Sequence, residues 1–210
     1  TQNQAFSALL FLYRSVLDID LGEIRSRRAS AKRTVPTVLS PSEVGALLEH
    51  LEGVPHLVGS LLYGTGARLI EALRLRRHDI DFERGALYLR ATKGGHQRVT
   101  MLPLAVREEL EAHLRLLRRR FLSERKTGGG MVHLPGAVAR RDPRAAPSWK
   151  WQWVFPASRD SVDPRTSVVA RFHLHPSAIQ KAGTRAARAA GIPKKATCHT
   201  LRHRFATHLL

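Results

Sequence analysis

Cysteine, acidic residues and long apolar runs are all scarce in this sequence. Cys198 is the single cysteine among 210 residues, so the chain cannot form an internal disulfide. No apolar stretch approaches the roughly 20 residues that a membrane-spanning helix needs. These absences argue against a disulfide-stabilised secreted domain and against a membrane protein. We therefore expect a protein of a reducing cytoplasm.

The shortage of acidic residues leaves the chain strongly basic. It has 17 Asp and Glu against 35 Lys and Arg, a formal net charge of +18, with an ordinary apolar fraction of 43%. A globular chain with this charge usually binds a polyanion, and nucleic acid is the first candidate. On charge alone, a ribosomal or other generic basic protein is the alternative. Arginine outnumbers lysine, which favours bidentate contacts with phosphate.

Apolar periodicity predicts a helix near the start of the chain. The stripe comprises Phe6, Leu9, Leu10, Tyr13, Val16 and Leu17. We interpret it as the last helix of a first domain, most of which lies outside this chain. Residues 21–38 show no period and carry Arg25, Arg27, Arg28, Lys32 and Arg33. They indicate a basic linker that either follows a phosphate backbone or is a solvated charged loop.

A second domain is predicted from residue 39 onwards. Ser40 and Glu43 form a capping box, with Pro41 at the first helical position. Further helices are predicted at 57–63 and 68–75, separated by a Gly-Thr-Gly break, and from Pro103, with an Arg-rich outer face. Between them, residues 78–102 alternate apolar and polar residues around two Gly turns, which predicts a small antiparallel meander.

The rest of the sequence begins with a segment of a different character. Residues 123–153 are rich in Gly and Pro and end in three tryptophans, so we expect an irregular insertion outside the core. Residues 154–170 are expected to be extended or loop. Helices follow at 176–190, with Gly191 at the stop, and at 198–210.

Four cationic or potentially cationic residues stand at positions suited to anion binding. Arg68 follows the Gly-rich break, Lys93 precedes two glycines at a hairpin tip, and His199 and Arg202 share a helix face. Taken singly, each is more consistent with a surface or structural role. A zinc site at Cys198, His199 and His203 is disfavoured, because no Glu or second Cys accompanies them.

Three stretches, taken together, resemble the tyrosine recombinase (phage-integrase-like) family in order and spacing. They are GTGARLIEALRLR at 64–76, TKGGHQR at 92–98 and CHTLRHRFATHLL at 198–210. Residues 128–210 also resemble an integron integrase, including the insertion peculiar to that subgroup. The resemblance covers essentially the whole chain. It implies a mainly α fold with a small antiparallel β-sheet.

The resemblance also implies a domain arrangement. Residues 1–20 would be the C-terminal remnant of an α-helical core-binding (SAM-like) domain, and 21–38 a basic interdomain linker. Residues 39–210 would be the catalytic domain, with the integron-type insertion at about 123–153.

The implied activity is site-specific DNA recombination by transesterification through a 3′-phosphotyrosine intermediate. By resemblance, Arg68 and Arg202 hold the non-bridging oxygens of the scissile phosphate. Lys93 protonates the leaving 5′ oxygen, and His199 assists proton transfer at the attacking tyrosine. No metal or other cofactor is implied, because fixed cations stabilise the charge that develops on the phosphate. The covalent protein–DNA linkage conserves the bond energy, so no ATP is needed.

The nucleophilic tyrosine and a second His or Trp of the family would follow Leu210. The tyrosines present, Tyr13, Tyr63 and Tyr88, have sequence surroundings typical of structural residues. We therefore expect a fragment missing both termini and inactive as given. Arg204 departs from the small residue usual in the family.

The resemblance assigns a recognition role to the insertion and its neighbours. In integron integrases this region captures bases bulged from folded single-stranded cassette sites, and the matching positions are Trp151, Pro164, Phe172 and His173. The family usually has His where Phe172 stands; Phe retains stacking, worth roughly 1–3 kcal/mol per base. Trp149 and Trp153 are expected to form a small cluster that holds the insertion in place.

The expected partners are DNA, including folded hairpins, and further copies of the protein in a DNA-bound homotetramer. The expected location is the bacterial cytoplasm, associated with the nucleoid when bound. Two alternatives remain open: a catalytically dead DNA-binding remnant, and a phage-type integrase acting on duplex sites. The insertion argues against the second alternative.

Overall fold

The computed structural model describes residues 2–22, 24, 38–90, 97–164, 166–194 and 196–208, without the side chains of 203, 204 and 206–208. It divides the chain into two compact units, Thr1–Pro36 and Thr37–Leu210. Lys93, the basic residues of the predicted linker and the side chain of Arg204 lie outside the description. The predictions made for them therefore have no structural counterpart below.

The first unit is helical where the apolar stripe predicted it. Helix α1 (Gln2–Phe11) continues into a π-helical turn, Leu12–Val16. No residue of these two elements is buried, and the stripe residues Leu9 and Val16 are 53% and 61% exposed. The stripe is therefore an amphipathic face that the described part of this unit does not cover.

The second unit begins with the predicted capping box. The Ser40 hydroxyl accepts a hydrogen bond from the Glu43 backbone N–H at 3.1 Å, and the Glu43 carboxylate accepts one from the Ser40 N–H at 2.6 Å. These bonds satisfy two free donors at the start of α2 (Pro41–Glu49), which buries Val44 and Leu47. Helix α3 (Gly53–Thr65) follows and contributes Leu57, Val58, Leu61 and Leu62 to the core.

Helix α4 (Leu69–Leu73) is shorter than the predicted helix at 68–75. Arg74 ends it, and the chain then passes through a 3₁₀ turn, Arg77–Asp79, into a three-stranded antiparallel sheet. The strands are β1 (Ile80–Asp81), β2 (Ala86–Arg90) and β3 (Gln97–Met101), paired in chain order. The meander prediction is confirmed for these residues.

The sheet buries only part of its apolar alternation. Leu87 and Leu89 on β2 are 0% and 1% exposed, whereas Val99 and Met101 on β3 are 62% and 82% exposed. Val99 and Met101 pair with Tyr88 and Ala86, so they lie on the face of the sheet opposite to Leu87 and Leu89 and point away from the core. The alternation therefore predicted the strand correctly without predicting its burial.

Helix α5 (Leu104–Lys126) packs on the core through Val106, Leu110, Leu114 and Phe121, as its periodicity predicted. The segment after it differs from the expected irregular surface insertion. Residues 123–126 are the last turn of α5, and helix α6 (Gly136–Arg141) forms within the segment. Val132 and Trp153 are 2% and 6% exposed, so the segment has buried side chains of its own.

The chain then forms a second antiparallel pair, β4 (Pro156–Val162) and β5 (Val169–His173), within the region expected to be extended or loop. Helices α7 (Pro176–Ala189) and α8 (Cys198–His208) complete the unit. Gly191, at φ +63°, follows the end of α7 as predicted. The fold is mainly α with small antiparallel sheets, as expected. No helix in the described ranges is long and apolar enough to cross a bilayer.

Candidate anion-binding site

The start of α8 is fixed by hydrogen bonds between two threonines. The Thr200 N–H donates to the Thr197 hydroxyl at 3.4 Å, and the Thr197 N–H donates to the Thr200 hydroxyl at 3.1 Å. This exchange caps the helix in the manner of a capping box. Leu201, 3% exposed, anchors the inner face of the helix in the core. His199 and Arg202 are thereby held on the same side of the first turns.

Two glycines make the corner before Arg68 possible. Gly66 ends α3 with φ +60°, a left-handed conformation that side chains rarely adopt, and a Cβ built on it would lie 2.4 Å from the Phe205 ring. A Cβ on Gly64 would lie 2.5 Å from the Pro103 ring. The Gly-Thr-Gly break is therefore a site of close packing against α8 and the start of α5.

Three of the four predicted catalytic residues lie together. Arg68, His199 and Arg202 line one cleft of about 440 Å³, which α4, α7 and α8 enclose. Arg68 and His199 are exposed and Arg202 is half-buried. Lys93, the fourth residue, lies outside the described residues. Cys198 also lines the cleft, and burial raises the pKa of its thiol, which keeps it protonated and poorly nucleophilic at neutral pH.

Arg202 presents a hydrogen-bond donor that no described group satisfies. Its Nη1 is buried and has no partner. Burial lowers the pKa of Arg202, the nearby charges of Arg68 and Arg98 lower it further, and Glu71 acts in the opposite direction. A partly buried guanidinium beside two others is destabilising unless an anion compensates its charge. The cleft is therefore suited to binding an anion.

Glu71 organises the arginines around the cleft. Its carboxylate is 3% exposed and accepts hydrogen bonds from the Arg68 N–H at 2.9 Å, the Arg68 Nη1 at 2.7 Å and the Arg98 Nη2 at 3.3 Å. Burial acts to raise the pKa of Glu71, but these hydrogen bonds outweigh it and hold the pKa below its ordinary value. Arg98 also donates to the Gly66 carbonyl at 3.1 Å. One carboxylate thus holds two arginines, which leaves net positive charge at the cleft.

The predicted base-binding residues are only partly brought together. Phe172 is 41% exposed, and its ring centroid lies 4.4 Å from that of the buried His173 and 5.7 Å from that of Trp153. Trp151 is half-buried, edge-on to His78 with centroids 4.6 Å apart. Pro164 is exposed beyond the Val162–Val169 pair, at the far end of the hairpin from His173.

His173 is neutral and lacks one hydrogen bond. Its Nδ1 lies 2.8 Å from the Leu174 carbonyl, so the proton is on Nδ1, and the buried Nε2 has no partner among the described groups. Burial lowers the pKa of His173, and the charges of Arg74 and Arg76 lower it further, against the opposing bond to Leu174. The Nε2 of His173 is therefore a buried acceptor that receives no hydrogen bond from the described residues.

A cavity of about 370 Å³ adjoins this aromatic cluster. Phe172, Trp153 and His133 provide aromatic surface, and Arg74, Arg76 and Arg90 provide positive charge. Aromatic faces beside guanidinium groups are suited to a base and its phosphate.

Arg76 attaches the insertion to the rest of the domain. It is 4% exposed, its Cζ lies 3.6 Å from the Trp153 ring centroid, and its side chain donates to the carbonyls of Trp151 and His133 at 2.7 Å each. Burial lowers its pKa to about 10, so it stays charged at neutral pH. Trp149 packs on Phe121 of α5 with centroids 5.5 Å apart. Trp149 and Trp153 thus each pack the 123–153 segment against other parts of the second unit, through different partners.

Sequence reasoning missed Glu71, Arg98 and Arg76. All three lie inside two of the quoted motifs, and the signal available was a charged residue beside apolar positions expected to be buried. Their roles come from contacts with residues on other elements, and such contacts produce no periodic pattern in the sequence. Within the described ranges, no group of three or more His, Cys, Asp or Glu side chains is placed to hold a metal ion.

Comparison with known proteins gives a consistent family assignment. The model of the phage integrase family matches residues 37–210. An integrase/recombinase of Escherichia coli is 44% identical over 211 residues, which cover 100% of this chain and 63% of that protein. Tyrosine recombinase XerA of Pyrococcus furiosus is 30% identical, over 89% of this chain and 52% of that protein. The chain thus spans about half to two thirds of the length of these relatives.

Solved structures show the same fold. A crystal structure of XerA recombinase superposes with a TM-score of 0.55 at 22% identity, covering 100% of this chain and 62% of that one. A crystal structure of a lambda integrase (75–356) dimer bound to a COC′ core site superposes with a TM-score of 0.53 at 18% identity. The match covers 86% of this chain and 54% of that one. At these identities the similarity establishes the fold alone.

Proposed function

Because the chain belongs to the phage integrase family, we propose that it is the phosphate-binding part of a site-specific tyrosine recombinase of the integron integrase type. In this proposal, the cleft between α4 and α8 holds the scissile phosphate of a recombination site. The observation that carries it is the unsatisfied Nη1 of Arg202 in a cleft that Arg68 and His199 also line.

The chemistry of strand exchange suits these residues. Attack on a phosphodiester by a tyrosine hydroxyl forms a 3′-phosphotyrosine bond and releases the 5′ oxygen, and negative charge builds on the non-bridging oxygens. Arg68 and Arg202 are proposed to stabilise that charge, each worth on the order of 3–4 kcal/mol in the transition state. His199 is proposed to assist proton transfer at the nucleophile and Lys93 to protonate the leaving oxygen. We assign the nucleophile to no tyrosine of this chain.

We further propose residues 1–20 as the end of a core-binding domain, 21–38 as a linker and 39–210 as the catalytic domain. The proposed partners are DNA and further copies in a DNA-bound tetramer. The net charge of +18 supports DNA as a partner, because neutralisation of phosphates is the main source of DNA affinity.

The integron subgroup is proposed from the aromatic cluster at the second cavity. An extrahelical base would stack on the partly exposed Phe172, which lines this cavity beside Trp153. A phage-type integrase acting on uninterrupted duplex would not need such a cavity.

An equilibrium binding experiment tests both the proposed DNA binding and the proposed integron subgroup. The chain is titrated with a folded single strand carrying two unpaired bases, and with the same stem fully paired. The hairpin with unpaired bases should bind more tightly, and Phe172→Ala should lower its affinity about 5- to 100-fold. Val169→Ala, on the same strand and 59% exposed, is the matched control and should change nothing.

Equal affinity for the two DNAs, unchanged by Phe172→Ala, would remove the integron assignment and favour a phage-type enzyme. Affinity that does not fall with rising salt would remove the DNA-binding proposal altogether.

A further inference from the structure

A groove of about 790 Å³ lies beside α5, away from the residues assigned above. Its walls are the Arg-rich outer face of α5, Phe82 in the turn after β1, Arg77 and Trp149. It shares no lining residue with the cleft around Arg202 or with the cavity at Phe172. Neither the proposed catalytic chemistry nor the proposed base capture uses it.

The groove is strongly positive. Arg77, Arg115, Arg118 and Arg119 line it, against the single carboxylate of Glu111. Glu111 is already engaged by Arg107 at 3.2 Å and approached by Arg115 at 4.0 Å. Arg118 and Arg119 pair with no carboxylate among the described residues, and both are exposed. Their charge is therefore available to a ligand.

Aromatic rings hold two of these guanidinium groups in place. The Cζ of Arg118 lies 5.1 Å from the Trp149 centroid, and that of Arg77 lies 5.6 Å from the Phe82 centroid. Arg77 also donates to the Ile80 carbonyl at 3.0 Å. Stacking restrains a guanidinium while leaving N–H donors on its rim for an anion, so less side-chain entropy is lost on binding.

We propose that this groove is a second nucleic-acid surface, which holds a strand through its phosphates. A nucleic-acid strand carries one charge per roughly 3.4 Å of axis. Arg118 and Arg119 follow Arg115 by three and four residues on the helix, a spacing of about 5–6 Å, so these side chains can meet more than one of these charges. Because arginines cover the faces of Trp149 and Phe82, binding is to the backbone and independent of base sequence.

The proposal rests on the proposed function only in that both require nucleic acid. Because the groove shares no lining residue with the cleft, it would add phosphate contacts to those made at the scissile phosphate. Single-stranded and duplex DNA present the same phosphate chemistry, so the test includes both.

The test compares salt dependence of binding between charge-matched variants. Arg118→Gln with Arg119→Gln removes two charges from the groove, and Arg140→Gln with Arg141→Gln removes two from the exposed face of α6. Each pair is made in the parent chain and in a chain with Arg68→Gln and Arg202→Gln. A single-stranded oligonucleotide and a fully paired duplex are the ligands, and circular dichroism melting confirms folding.

The groove variant should reduce the slope of log affinity against log salt, because it neutralises fewer phosphates. The reduction should be about 0.9 for each duplex phosphate that is no longer neutralised, or about 0.7 for each phosphate of a single strand. The α6 variant should leave the slope unchanged, and the groove effect should persist when Arg68 and Arg202 are already substituted. A photoreactive oligonucleotide should crosslink to peptides of α5.

An unchanged slope in the groove variant, or an equal reduction in the α6 variant, would overturn the proposal. If Arg68→Gln with Arg202→Gln weakens binding while the groove variant does not, the groove proposal fails and the proposed function stands. If the parent chain binds neither DNA, both fail.

Discussion

The Phe205 ring of α8 lies directly against Gly66 at the end of α3. A Cβ at Gly66 would lie 2.4 Å from one ring carbon and 3.0 Å from another. This packing joins the two motifs that contribute Arg68 and Arg202, which are far apart in sequence. The relative position of the two arginines therefore depends on a residue with no side chain.

Gly66→Ala should destabilise the chain by about 1–3 kcal/mol. The substitution forces a side chain into the left-handed region, at φ +60°, and into the Phe205 ring. Urea denaturation followed by circular dichroism measures the change. Gly45→Ala in α2 is the control, because a Cβ there meets nothing within 4 Å, and it should leave stability unchanged or raise it by up to about 1 kcal/mol. Equal stability of the two variants would contradict the packing described.

Tetrahedral oxyanions should stabilise the folded chain through Arg202. Phosphate or orthovanadate that binds only the folded state raises stability by about 2.7 kcal/mol at a hundred times its dissociation constant. Arg202→Gln should abolish this gain in a thermal-melt titration, because it removes the unsatisfied donor of the cleft. Arg188→Gln, an exposed arginine in the last turn of α7, removes the same charge and should retain the gain. An equal reduction in both variants would indicate non-specific charge screening.

Arg98→Gln should lower stability in a pH-dependent way. Glu71 has a folded-state pKa below its unfolded value of roughly 4.3, so its pairing stabilises the fold above that pH. This contribution is lost as the pH falls through the folded pKa. The variant should be less stable than the parent by under about 1 kcal/mol at pH 7, because the Arg98 side chain is 44% exposed.

The stability difference between parent and Arg98→Gln should then shrink as the pH falls below about 4, measured by urea denaturation across pH 7 to 3. Arg84→Gln, which removes the exposed partner of Asp81, is the control and should leave stability nearly unchanged at every pH. A constant difference for Arg98→Gln would show that Glu71 is not its relevant partner.

Arg76→Ala should release the insertion. The substitution leaves the carbonyls of Trp151 and His133 without their donors, at a cost of roughly 1–3 kcal/mol each. Arg76→Lys should recover only part of this, because an ammonium cannot stack on Trp153 and donate to both carbonyls as the planar guanidinium does. Tryptophan fluorescence during denaturation reports the change directly. Arg74→Ala, an exposed arginine two residues earlier, is the control and should have little effect.

Local sequence patterns predicted most of the helices and the three-stranded sheet, and the family motifs predicted three residues that line the cleft. The capping box at Ser40 and Glu43 and the apolar period of α5 are local signals, so they could be read without the fold. The family motifs identified Arg68, His199 and Arg202 before any geometry was known, and the structure places these three around one cleft.

The contacts between charged residues on different elements appear only in the folded chain. The Glu71 carboxylate accepts hydrogen bonds from Arg68 and Arg98, which lie on different elements. Arg76 donates to the carbonyls of Trp151 and His133. The groove beside α5 forms because Trp149 packs next to that helix. The tertiary structure also gave the 123–153 segment a helix and buried side chains that its Gly- and Pro-rich composition did not predict. Periodicity records what one element buries along its own length. Contacts between elements distant in sequence leave no such period, and only folding brings them together.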